Sequence, residues 1–91
     1  MKELIKKRCG IASSVTVYDD DIEMYIEDSR SDMIASGVAE ELANSDKHPG
    51  TLTAITLYVK AYLGNDREDS EQYLKLYREK VFRLSLEEGG N

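Results

Sequence analysis

Proline occurs once in this chain, at Pro49, and tryptophan does not occur at all. Long proline-free stretches favour helices, because nothing removes a backbone donor or blocks the preceding turn. Cys9 is the single cysteine, so no internal disulfide can form and a reducing compartment is expected. No apolar run approaches the roughly 18 residues that a membrane helix needs. The opening MKELIKKRCG is basic but lacks the continuous apolar stretch of a signal peptide.

Scarcity also limits the chemistry. His48 is the one histidine and lies far in sequence from Cys9, which is not metal-ligand spacing. The run Asp19-Asp20-Asp21 lacks the loop spacing and central glycine of a calcium-binding loop. Nucleophilic catalysis needs a Ser or Cys with a base held by a third group, and His48, expected in a solvated turn, is the only imidazole base. Carboxylates are plentiful, but nothing sets two of them in an apolar pocket that would separate their pKa values. Neither glycine-rich phosphate fingerprint occurs. The residues therefore point to no enzyme, no cofactor and no metal site.

What remains is an ordinary globular balance, 41% hydrophobic and 33% charged, in 91 residues. That length suffices for one domain, 1–91, with one modest core. Such a small domain gains from packing against copies of itself or a partner. The formal net charge of −6 argues against a protein that works by neutralising phosphates. The charge is uneven: residues 1–9 hold Lys2, Lys6, Lys7 and Arg8 against Glu3, whereas residues 19–46 hold ten acids and only Arg30 as a base. Asymmetry of this kind can orient partners, or one subunit against the next, and it can equally be a solvated helix face.

Apolar spacing predicts an all-α bundle of four to five helices. Residues 2–9 read as a short basic helix or turn stopped by Gly10. Residues 10–18 read as an extended connector in which β-branched Val15-Thr16-Val17 allow a brief strand, without an obvious pairing partner. Asp19 reads as an N-cap, with Asp20, Asp21 and Glu23 in a first turn where the helix dipole favours negative charge. Ile22, Ile26, Ser29 and Met33 form one face of this helix, and Gly37 ends it. Residues 38–44 read as a short helical piece, and His48, before proline, as extended. The helix expected at about 50–63 carries only Lys60 as a charge and is apolar nearly all round, which makes it the central helix. Gly64 is its expected C-terminal cap. The last helix is expected at about 70–87, with Tyr73, Tyr77 and Leu84 inward, Leu76 beside that stripe and Val81 at its edge. The tail from about 88 is expected to fray.

Four residues stand out as candidate interface positions. Phe82 and Leu86, four apart, fall on the face of the last helix opposite its core stripe, and exposed neighbouring apolar side chains mark contact surfaces. The competing reading is that the N-terminal segment folds back over them. Tyr58 lies off the main stripe of the central helix, and tyrosine is enriched at protein contacts. Met24 lies off the stripe of the acidic helix. Tyr73 and Tyr77 are expected in the core.

Three stretches carry a resemblance: VTVYDDDIEMYIEDSRSDMIASGV (15–38), LTAITLYVKAYLGND (52–66) and SEQYLKLYREKVFRLSL (70–86). In order, spacing and total length they resemble the small head–tail connector, or DNA-packaging, proteins of tailed phages. Members share an acidic-capped helix closing in Ser-Gly-Val, an apolar helix ending in an aromatic-rich turn and Gly, and a terminal helix with paired Tyr and a Leu-Ser-Leu ending. The segment 39–50 has no counterpart in that pattern, and members often carry an aromatic where Leu63 stands. The resemblance implies a structural adaptor that forms a homo-oligomeric ring on the portal protein after DNA packaging and offers the tail-side head-completion protein a docking surface. It implies residence at the virion head–tail junction, with assembly in the bacterial cytoplasm, and no specific nucleic-acid or membrane binding. The alternative from the residues is a small regulatory helical protein acting by protein–protein binding. A DNA-binding module rests only on the basic N-terminus.

Overall fold

A computed structural model describes residues 1–64 and 66–87. Five helices follow in chain order: α1 Lys2–Arg8, α2 Asp19–Ala35, α3 Glu40–Ala43, α4 Pro49–Leu63 and α5 Arg67–Ser85. The described residues contain no strand, so the chain is an all-α bundle. The tail expected to fray from 88 lies outside the described residues.

Each helix end has a local cause. α1 and α2 both stop in the same motif. Gly10 (φ 74°) and Gly37 (φ 98°) adopt the left-handed conformation just past the helix. The amides of the following residues, Ile11 and Val38, donate back to Lys6 O and Met33 O, both at 2.9 Å. This is the Schellman arrangement, which satisfies carbonyls the helix leaves open. α4 starts on Pro49, whose missing N–H costs nothing at the first helical position. The His48 side chain caps it by accepting from Thr51 N at 3.2 Å through Nδ1. The expectation of a solvated loop histidine is thereby corrected. α5 begins three residues earlier than its apolar pattern indicates, because the Asp66 carboxylate accepts from Glu68 N and Asp69 N (2.9 and 3.2 Å).

α4 is the central helix. Ala54, Ile55 and Val59 are fully buried and Leu52 and Ala61 nearly so, while α1, α2 and α5 all pack against it. α2 contributes Ile22, Ile26 and Met33, α5 contributes Tyr77, Val81 and Leu84, and α1 contributes Ile5. Val81 is thus core rather than edge, and Leu76 is 46% exposed. α5 packs tightly at Gly50, where a Cβ would lie 2.9 Å from Leu84 Cδ2. Fully burying a side chain such as Ile or Leu stabilises the fold by about 1.5–3 kcal/mol. The molecule measures 37 × 26 × 17 Å, so its thin dimension holds less than two helix diameters, each about 10–12 Å.

Val59→Asp is expected to abolish the fold, since a carboxylate would sit at a fully buried position with no cation to meet it. Loss of the far-UV helical signal is the check. Retention of helix with an unchanged melting temperature would disprove the central placement of α4.

Candidate interaction surface

Two cations of the N-terminal half turn inward. Lys6 is 1% exposed. Its ammonium donates to Val15 O (2.6 Å) and Ser13 O (3.2 Å) and pairs with Asp19 Oδ1 at 2.8 Å. This explains two departures from the sequence reading. Residues 12–18 form turns rather than a strand: the carbonyls of Ser13 and Val15 accept from Lys6, and those of Ala12 and Thr16 accept from the amides of Val15 and Asp19. Asp19 is not the N-cap; Tyr18 holds that position and Asp19 is the first helical residue, its carboxylate committed to Lys6 and, at 3.4 Å, to Lys2. Lys2 also reaches Glu23 at 3.4 Å. These cations hold the Asp19 carboxyl below the usual range, with the Lys6 hydrogen bond the largest cause. Two of the four N-terminal cations, Lys2 and Lys6, are therefore committed to the acidic start of α2.

Arg30 is the second buried cation. Its Nη1 donates to Ala43 O (2.8 Å) and Ser45 O (3.2 Å), and its Nη2 pairs with Asp46 at 2.8 Å. The guanidinium thereby fastens α3 and the following turn to α2. Ser45 Oγ accepts from Lys47 N and His48 N, and Thr51 Oγ1 donates to Leu42 O, which completes a polar frame around the start of α4. Because His48 Nδ1 accepts from Thr51, the neutral ring carries its proton on Nε2, which faces Glu87 Oε1 at 3.5 Å.

Four of the six tyrosines form one cluster. Tyr25 stacks on Tyr62 (5.5 Å between centroids), Tyr62 meets Tyr58 at a tilt (4.6 Å), and Tyr58 meets Tyr77 edge-on (5.1 Å). The Tyr77 hydroxyl donates to Asp32 at 2.7 Å, joining α5 to α2. Burial, then the bond to Asp32, raises the Tyr77 pKa strongly, and burial pushes Tyr58 up to about 12. Tyr58 is thus half-buried inside this cluster rather than projecting as an isolated contact residue.

Phe82 and Leu86 are 66% and 71% exposed, and the N-terminal segment does not cover them. Phe82 borders a cleft of about 200 Å³ between the end of α2 and α5, lined also by Asp32, Ser36, Tyr77 and Arg78. Met24 is 51% exposed on α2. The structure keeps Phe82 and Leu86 together on α5 and places Met24 and Tyr58 elsewhere. Lys6 and Arg30 escaped the sequence reading because a basic residue in a charged helix is ordinarily solvated.

A second cleft, of about 450 Å³, is lined by Cys9, Tyr18, Lys60, Asp66, Ser70 and Tyr73, among others. Burial pushes the Cys9 thiol up, with Lys60 opposing, which is the wrong direction for a nucleophile. Among the described residues no three His, Cys, Asp or Glu side chains are grouped to hold a metal ion, and no helix is long and apolar enough to cross a membrane.

The buried cations Lys6 and Arg30 serve the fold, and large apolar side chains are left exposed both on the helices and in the segment before α2, where Val17 is 76% exposed. The chain matches the model of the phage connector protein family over residues 2–91, and it belongs to that family. No curated protein and no solved structure matches it.

Lys6→Ala is expected to cost about 2–3 kcal/mol, because it takes the ammonium donor from the Ser13 and Val15 carbonyls and leaves Asp19 with Lys2 alone. Chemical denaturation of the two proteins measures this, and a loss within error of zero would refute the clasp. The pH dependence follows from the lowered Asp19 pKa. Its contribution is complete above the ordinary Asp range and is lost as the pH falls through the depressed folded value. Asp19→Asn should therefore flatten the acid side of the stability curve, and the alkaline side as well, because Asp19 is the largest cause holding the Lys2 pKa up.

Proposed function

We propose that this protein is the ring-forming adaptor at the head–tail junction of a tailed phage. In this reading copies of the chain sit on the portal protein once DNA is packaged and present the tail-side head-completion protein with a docking surface. The family match along residues 2–91 carries the reading. The exposed Phe82–Leu86 pair supports it, since a protein working through assembly needs apolar side chains that its own fold leaves uncovered. The acidic balance also fits a ring that DNA traverses without adhering, because like charge opposes phosphate binding.

The deciding measurement is the mass of the protein in solution with and without cognate portal. A ring on the portal is expected, and a chain that stays monomeric at high concentration and also fails to bind the portal sinks the reading. Phe82→Ser should weaken assembly while shifting stability by no more than about 0.5 kcal/mol, the usual range for an exposed site. If that variant unfolds instead, Phe82 belongs to the core.

A further inference from the structure

The exposed face of α2 is acidic, and that of α5 sets two cations, with one acid at their flank, beside an apolar pair. On α5 and its C-cap residue, Lys75, Arg78, Phe82 and Leu86 follow at spacings of three, four and four, which is one helical face; all four are exposed, and exposed Glu79 borders them. On α2, Asp20, Met24, Glu27 and Asp28 share a face in the same way, and all are exposed. None of Lys75, Arg78, Asp20, Glu27 and Asp28 makes an ion pair among the described residues. By contrast, the acids nearest the N-terminal cations, Asp19 and Glu23, are paired.

One copy cannot join these faces to each other. Each helix turns its opposite side inward onto the core, α2 through Ile22, Ile26 and Met33, and α5 through Tyr77, Val81 and Leu84. The two outer faces are therefore available together only to other molecules. Because both complementary halves come from the same chain, the partner that fits each of them is a second copy.

We infer that the α5 face of one subunit docks on the α2 face of the next, Lys75 and Arg78 meeting Glu27 and Asp28 while Phe82 and Leu86 pack near Met24. The contact is head-to-tail, so every subunit keeps one free half at each end, and such contacts close into rings when the rotation permits. This deepens the ring-forming reading above and rests on it. The acidic face excludes DNA as the common occupant, since a polyanion could match only the α5 half.

The experiment uses two charge-reversed proteins, K75E/R78E and E27K/D28K, each checked for unchanged helical content, alone and mixed one to one. Masses are measured at low and high salt, with and without portal. Wild type should associate, and more weakly as salt rises. Each reversed protein alone places like charges in contact and should associate about a hundredfold more weakly or worse. Their mixture makes every contact complementary again and should recover wild-type assembly. Reversed proteins that assemble as well as wild type overturn this contact, as does a mixture that stays dissociated. If those results appear while wild type still forms a ring on the portal, the contact fails and the ring-forming reading stands. If wild type neither associates nor binds portal, both fail.

Discussion

α4 has almost no face to give to water. Between Pro49 and Gly64 its one charge is Lys60, whose ammonium lies 5.7 Å from the Tyr73 ring centroid. A helix of that composition has to be covered on several sides, and the chain has only 91 residues with which to cover it. Two long helices supply most of the cover. The remainder comes from one short helix, α1, and from the polar frame that α3 and the following turn build around the start of α4. Short segments have little cohesion of their own. The buried cations compensate: Lys6 ties α1 and the 12–18 segment to the start of α2, and Arg30 ties α3 to its middle. Each cation binds backbone carbonyls as well as a carboxylate, so its burial leaves few unmet donors.

The same arrangement explains the lopsided charge. The acidic start of α2 serves first as the counter-charge for the N-terminal lysines. Part of the acidity is therefore neutralised inside the molecule, and what reaches the outside of α2 is the set of acids beyond the lysines' reach. α5 shows the complementary outcome at Lys75 and Arg78, which pair with no acid within the fold, whereas Arg67 meets Glu71 one turn on.

The helices, the centrality of α4 and the exposure of Phe82 and Leu86 were legible in the sequence, because each follows from apolar period or from its violation. Gly37 was legible as a stop for the same kind of local reason. The starts of α2 and α5 were not. Whether Asp19 caps or pairs depends on Lys6, thirteen residues earlier, and whether α5 begins at Arg67 depends on Asp66 turning its side chain back to Glu68 and Asp69. The contacts of Tyr58 were not legible for a related reason: its edge-on partner Tyr77 lies on the next helix, and that contact is a tertiary fact. Local period records which way a residue points, not which partner waits there.

The two cation ties have a kinetic side. Lys6 reaches only seven and nine residues ahead for Ser13 and Val15, and Arg30 thirteen to sixteen for Ala43, Ser45 and Asp46. α4 and α5 are likewise consecutive, with three residues between them. Each half of the chain can thus close on itself over short loops, for which the entropy cost is small. Long-range contacts such as Tyr77 to Ser29, forty-eight residues apart, fall mainly where the halves meet. Local closure of this kind lowers contact order, which favours fast folding and shortens the interval in which the apolar surface of α4 lies open to other chains.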